Sequence, residues 1–215
     1  MPFPEQVAIA SRNPHKLREL ARICADWPVR WVTVENTDPA GFPDVEETGQ
    51  TYLENALLKA RGVSGALGVP AIADDSGIEV DALGGKPGVR SARFSGVGAT
   101  DQQNLDALMQ AMRGIPGGGR TARYRCLAVL AGPDGRVEHA EGTCEGTLVS
   151  KRSGDRGFGY DPIFVPEGWE ETMAQLTDEQ KDRISHRGRA FRALRELVEG
   201  TSASPRTDRS LPDSR

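Results

Sequence analysis

Several things are scarce in this 215-residue chain, and each scarcity excludes a class of function. There are three cysteines, Cys24, Cys126 and Cys144, an odd number in no metal-ligand spacing. That argues against a disulfide framework and for core thiols in a reducing compartment. Nowhere do about eighteen apolar residues run together, as a spanning helix requires, and MPFPEQVAIA lacks the basic and apolar regions of a secretion signal. A soluble, cytoplasmic protein with no membrane partner is expected. No run of Lys or Arg forms a stripe, and the formal net charge is −4. A polymeric nucleic acid, whose binding depends on neutralising phosphates, is therefore a poor ligand.

Nucleotide-hydrolase signatures of two kinds are also missing. No G-x-x-x-x-G-K-[ST] loop occurs, and no R-E-x-x-E-E helix of the Nudix type, Arg18-Glu19 and Arg195-Glu196 being the only Arg-Glu pairs. No repeat or linker divides the chain, so residues 1–200 are expected to form a single domain with two lobes. Residues 201–215, TSASPRTDRSLPDSR, hold one bulky aliphatic residue, Leu211, and are expected to be a disordered tail.

What is present reads as α/β. Val7 to Ala10 is a short apolar strand, followed by Asn13-Pro14, an N-cap and first-turn proline that open a helix through Leu17, Leu20 and Cys24. Trp31 to Val34 predicts a second strand, Thr51-x-x-Glu54 a capping box and helix, and Ala71 to Ala73 a third strand. Gly84 to Thr100 reads as a long surface loop, with Thr100 capping a helix over 101–113. Runs at 122–131 and 136–147, joined by Gly132-Pro133-Asp134-Gly135, predict an antiparallel hairpin and hence a mixed sheet. A last capping box at Thr177 to Gln180 precedes a helix from about Gly188 to Glu199.

Five clusters could carry chemistry. Ser11-Arg12-Asn13-Pro14-His15-Lys16 offers helix-start amides and a lysine to an anion, although taken alone ordinary helix capping by Asn13 with a solvated Lys16 is the better account, Asn-Pro helix starts being common. Asp74-Asp75-Ser76-Gly77, read as following the third strand, puts two carboxylates where open α/β sheets bind ligands; an acidic turn is the plain alternative. Glu46-Glu47, before the helix carrying Lys59, could add a metal ligand and a phosphate cation, or could be a favourable acidic helix entry. Phe158-Gly159-Tyr160-Asp161 sits in a glycine-rich loop able to hold a ring against a flat base. Lys181 and Ser185-His186-Arg187-Gly188 gather donors at a helix break.

Together these segments are similar to the inosine/xanthosine triphosphate pyrophosphatase family. The matching motifs are S-x-N-x-x-K at 11–16, E-E-T-G at 46–49, A-D-D-S-G at 73–77, G-G-x-P-G at 84–88, S-A-R-F-S-G at 91–96, G-F-G-Y-D-P at 157–162 and S-H-R-G at 185–188. The resemblance implies an elongated mixed central sheet with flanking helices, two lobes around a nucleotide cleft, and a homodimer. It implies Mg²⁺-dependent hydrolysis of dITP, ITP and XTP to monophosphate and pyrophosphate. By the same resemblance Asp75 is the general base and a metal-site residue, and Glu47 helps hold Mg²⁺. Ser76 touches the nucleotide, Ser11 to Lys16 and Lys59 bind the triphosphate, and Phe158, Gly159, Tyr160, Asp161, Lys181, His186 and Arg187 enclose base and sugar. Arg12 stands where many relatives carry glycine. A non-catalytic nucleotide-binding module is the rival reading, and the presence of Glu47, Asp74 and Asp75 disfavours it.

Overall fold

The computed structural model describes residues 4–37 and 41–203. Seven strands form one mixed sheet: β1 (Gln6–Ile9), β2 (Arg30–Val32), β3 (Ala71–Val80), β4 (Lys86–Pro87), β5 (Thr121–Ala131), β6 (Val137–Leu148) and β7 (Phe164–Pro166), in the order β2-β1-β3-β5-β6-β7 with β4 beside β3. β1 is parallel to β2 and β3, and the remaining pairings are antiparallel. The helices are α1 (Pro14–Ile23), α2 (Tyr52–Leu67), α3 (Asp101–Ala111), α4 (Asp178–Ile184) and α5 (His186–Ala203).

Local chemistry sets the helix starts. Thr51, Thr100 and Thr177 each close a full capping box, onto Glu54, Gln103 and Gln180. Two packed layers then cover one half of the sheet. On one face Leu20 of α1, its C-cap Cys24, and Phe191 and Leu194 of α5 pack on Ile9, Ile72 and Cys126. On the other, Ala56 and Ala60 of α2 are small enough to seat that helix on Ala8, Ala71 and Val129. A third cluster, with Ile78, Val80, Leu108, Tyr124, Phe164 and Met173, covers the far half of β3, β5 and β6. The long strands thus join two lobes, and the hairpin and mixed sheet expected above are present.

Several expectations need correction. The third strand does not stop at Ala73; it continues to Val80 because β5 pairs with it along its whole length. Its other edge is paired by β1 only at Ala71 and Ile72 and by β4 only at Glu79 and Val80, which leaves a gap between. Side chains fill that gap: Lys59 donates to Asp74 O at 2.6 Å and Ser91 Oγ accepts from Ile78 N at 2.9 Å. The acidic pair is therefore inside a strand, at an interruption of its ladder. The expected surface loop 84–100 contains β4 and a 3₁₀ turn, Gly88–Arg93, and buries Ser91. The last helix starts two residues early, at His186, and takes in Thr201 to Ala203 of the expected tail. The rest of that tail, 204–215, lies outside the described residues.

Gly142 of β6 decides where α5 begins. A β-carbon there would collide with His186 O and Ala190 N, so only glycine lets the first turn of α5 lie directly on the sheet. From that first turn Arg187 reaches Asp74 at the gap in β3, and His186 stacks on Tyr124 of β5.

Candidate functional site

Between the two lobes lies a cavity of about 320 Å³, lined among others by Ser11, Arg12, Asn13, Lys16, Glu47, Lys59, Asp75, Ser76, Phe158 to Asp161, Lys181, His186 and Arg187. Of the six residues of the first loop, Ser11, Arg12, Asn13 and Lys16 line the cavity, and Pro14 and His15 are not among its lining residues.

At one end of the cavity α1 begins. Asn13 Oδ1 accepts from His15 N at 2.9 Å and Lys16 N at 3.3 Å, Ser11 Oγ accepts from Asn13 N, and Ser11 N donates to Ile9 O. The amides expected to be free for an anion are thus committed within the loop, because an asparagine cap satisfies the same donors an anion would. Positive charge there comes instead from two ammonium groups. Lys16 Nζ lies 3.1 Å from Asp74 Oδ2, and Lys59 Nζ lies 2.8 Å from Glu47 Oε1 and 4.0 Å from Asp75 Oδ1. Arg12 does not extend into the same cluster. Its guanidinium donates to Phe42 O and its Nε is 3.9 Å from Asp44 Oδ1, so it straps the loop that carries Glu47.

Asp74 and Asp75 are adjacent, both buried, and electrostatically opposite. Burial raises the Asp75 carboxyl above its ordinary value, and Lys59, Lys16 and the Asn55 amide only partly offset it. Burial acts on Asp74 too, but Arg187, Lys16 and Lys59 outweigh it and hold that carboxyl far below the ordinary range. Asp74 is then held as an anion, whereas Asp75 is the carboxylate of the pair whose affinity for a proton is raised. Asp75 is oriented by Asn55 Nδ2, which donates to Oδ2 at 3.0 Å, and by Ser76 N, which donates to Oδ1 at 2.9 Å.

The other end holds an aromatic ring above buried charges. The Phe158 ring has Lys181 Nζ 5.1 Å and Arg187 Cζ 5.8 Å from its centroid, and His15 stacks on it at 5.1 Å. His15 therefore belongs with the aromatic loop rather than with the phosphate loop, its Nδ1 being paired with Arg18. Gly157 shapes the loop: it has a φ of +70°, and a β-carbon would meet Asp161 Oδ2.

Asp161, expected to face the nucleotide, is bound inward: its Oδ1 accepts from Tyr124 OH, and its Oδ2 accepts from Phe158 N and Lys181 Nζ. Tyr160 is buried and donates to Ser91 O at 2.8 Å. Arg187 is fully buried; it donates from Nε and Nη2 to Asp74 Oδ2, from Nη2 to Ser76 Oγ and from Nη1 to Glu19. Arg187, one of the donors expected to enclose base and sugar, is thus mostly committed to the protein. His186 stacks on Tyr124 at 4.6 Å, and burial together with Arg187 pushes its pKa far down, so the ring is neutral. Its Nδ1 and Asp74 Oδ1 are buried without a partner among the described residues, which marks them as atoms a ligand or water would satisfy.

Three contributors escaped the sequence reading, Glu19, Asn55 and Tyr124, and Ser91 stood in a matching motif without a role. Asn55 left a trace, a fully buried amide on the apolar face of a helix between Tyr52 and Ala56. Glu19, three residues after Lys16, figured in the sequence only as half of the Arg18-Glu19 pair.

No three His, Cys, Asp or Glu side chains among the described residues gather into a metal cage. Mg²⁺ does not need one, because one or two carboxylates with substrate phosphates suffice. Glu47 and Asp75, both lining the cavity and both facing Lys59, fit that limited oxygen set.

A sequence model of the Ham1 family matches residues 7–197. The chain is 48% identical to a dITP/XTP pyrophosphatase of Streptomyces coelicolor over 90% of this chain and 96% of the relative. It is 44% identical to a protein of the same name from Bacillus cereus, over 90% and 95%. Among solved structures, the Staphylococcus aureus Ham1 protein superposes with a TM-score of 0.79 at 39% identity, covering 91% of this chain and 99% of the other. A nucleoside-triphosphatase / dITP/XTP pyrophosphatase from Mycobacterium abscessus gives 0.69 at 41% identity, covering 90% and 98%.

Proposed function

The chain belongs to the Ham1 family, and from that premise we propose that it hydrolyses nonstandard purine nucleoside triphosphates, dITP, ITP and XTP, to the monophosphate and pyrophosphate. The observation that carries this reading is the division of labour between Asp74 and Asp75 in a cavity that has ammonium groups at one end and an aromatic ring with buried donors at the other.

In the reaction a water oxygen bonds to the α-phosphorus, the bond from that phosphorus to the bridging oxygen breaks, and pyrophosphate leaves. Asp75 accepts the water proton at a carboxylate oxygen, its raised pKa suiting it to that transfer. Lys16 and Lys59 neutralise phosphate charge, and Asp74 keeps both ammoniums in place. Ser76, bonded to Arg187, faces the nucleotide. Glu47 and Asp75 would hold Mg²⁺, which when bound supplies further charge neutralisation on the phosphates.

Phe158 stacks on the purine. Lys181, His186 and the remaining N–H of Arg187 read its 6-oxo group, which adenine lacks, while Gly159, Tyr160 and Asp161 shape that end of the cavity. The homodimer and the cytoplasmic location implied by the resemblance belong to this proposal. Among the described residues no helix is long and apolar enough to cross a membrane. Pyrophosphate release from dITP with Mg²⁺, beside dATP and a metal-free control, tests the activity; equal rates on dITP and dATP, or no release, would refute it.

A further inference from the structure

A second cavity, of about 590 Å³, opens beside the C-terminal half of α3 and shares no lining residue with the first. Its floor is apolar. Met112, Leu148 and Ile163 there belong to the buried core of the far lobe, and Met109, three residues before Met112 on the same helix face, packs against that core. Around the floor stand four cations, Arg113, Arg120, Lys151 and Arg152, against one carboxylate, Asp106. Arg152 offsets that carboxylate: its Nη2 pairs with Asp106 Oδ1, while its Nε lies 3.3 Å from Met109 Sδ. Arg120 is fixed by backbone, donating from Nε to Ile115 O at 2.9 Å and from Nη2 to Met112 O at 3.2 Å, which leaves Nη1 uncommitted among the described residues. The Arg113 and Lys151 side chains are exposed and make no hydrogen bond or ion pair among the described residues.

We infer that this cavity is a second ligand site, which takes a phosphomonoester carrying a flat ring. The chain as a whole has a formal net charge of −4, so the concentration of positive charge here is local and set against the field of the rest of the protein. Arg113, Arg120 and Lys151 have no carboxylate to answer them. A phosphate group, with three acceptor oxygens, can receive hydrogen bonds from all three at once, and charge-assisted bonds of this kind are the strong ones. The apolar floor selects the other half of the ligand. Two methionine side chains, soft and polarisable, pack well on the face or edge of a ring, and covering Leu148 and Ile163 removes further apolar surface from water.

Amide chemical-shift mapping on the isotope-labelled full chain tests the site, with AMP and inorganic orthophosphate as probes. AMP has the phosphate and the ring but neither the 6-oxo group nor the pyrophosphate linkage that the first cavity is proposed to act on. Both α3 and the turn at 161–163 reach both cavities, so the distinguishing signals come from elsewhere: Arg120 and residues 148–152 for the second, Ser11 to Asn13, Glu47 and Asp75 for the first. AMP should shift Arg120 and 148–152 saturably, and should bind there about tenfold or more tightly than orthophosphate, which lacks the ring. Arg113→Ala/Lys151→Ala should weaken AMP at these amides by about tenfold or more and leave Tm unchanged, since both side chains are exposed and unpaired. Shifts confined to the first cavity, or shifts at the second that the double variant does not weaken, overturn the inference. Equal affinity for AMP and orthophosphate overturns the assigned ligand class. A double variant with a markedly lowered Tm overturns it too, because the two side chains would then hold the fold rather than a ligand.

Discussion

The side-chain amide of Asn55 donates to Asp75 Oδ2 at 3.0 Å, which joins the only buried amide on the α2 apolar face to the carboxylate with the raised pKa. The donor favours the ionised carboxylate, so it holds back part of the rise that burial imposes. Asp75 must be ionised to accept a proton, and the acid limb of kcat/KM should therefore lie above the ordinary carboxylate value of 3.8. Asn55→Ala should move that limb to higher pH still. A pH–rate profile of wild type and variant checks both statements, and an unmoved limb would separate Asn55 from the proton transfer.

Asp75→Asn should leave the fold intact and lower turnover by roughly two to four orders of magnitude, since it removes the proton acceptor. The same profile would lose its acid limb. Circular dichroism and a melting curve establish the fold; near wild-type turnover would remove Asp75 from the mechanism.

Lys16→Ala deletes the ammonium 3.1 Å from Asp74 and should chiefly weaken the hold on phosphates. kcat/KM for dITP should fall by about tenfold or more, and tripolyphosphate should inhibit less well. Binding of inosine, which carries no phosphate, should be the same in variant and wild type. Unchanged dITP kinetics would return Lys16 to a purely structural pair with Asp74.

Arg187→Ala should damage stability before it reports on specificity. It leaves Asp74 and Glu19 buried with one fewer cation, a loss of roughly 3–5 kcal/mol for a broken buried pair. Urea unfolding of the variant measures it, and a loss below about 1 kcal/mol would contradict the buried network.

Acid should unfold the protein through Glu19. Burial would raise its carboxyl, but Arg187 and Lys181 outweigh that and bring it from 4.5 down to about 2. A lowered folded value means the stabilisation is complete above the unfolded value and is lost as pH falls from about 4.5 to about 2. Glu19→Gln, unable to titrate, should be less stable at pH 7 and show a shallower loss across that window. Denaturation midpoints measured at intervals between pH 7 and 2 test the slope.

Much of the fold was legible because its signals are local. Asn13-Pro14 and the Thr51, Thr100 and Thr177 capping boxes mark helix starts within four residues, and Gly132 to Gly135 marks the hairpin. The motif segments also named most of the residues that line the cavity, since those segments carry their residue types wherever the chain takes them. Those short-range features determined which elements form and which side chains are available for chemistry.

What each side chain does was decided only by tertiary structure. Asp74 and Asp75 are identical neighbours in sequence, and they differ because Arg187, 113 residues away, pairs with the first while Asn55 of α2 meets the second. Glu19 became part of the site through a contact with Arg187 across 168 residues. Burial at the gap in β3 turned these pairings into large pKa displacements, and neither burial nor a partner from a distant element is encoded in local spacing.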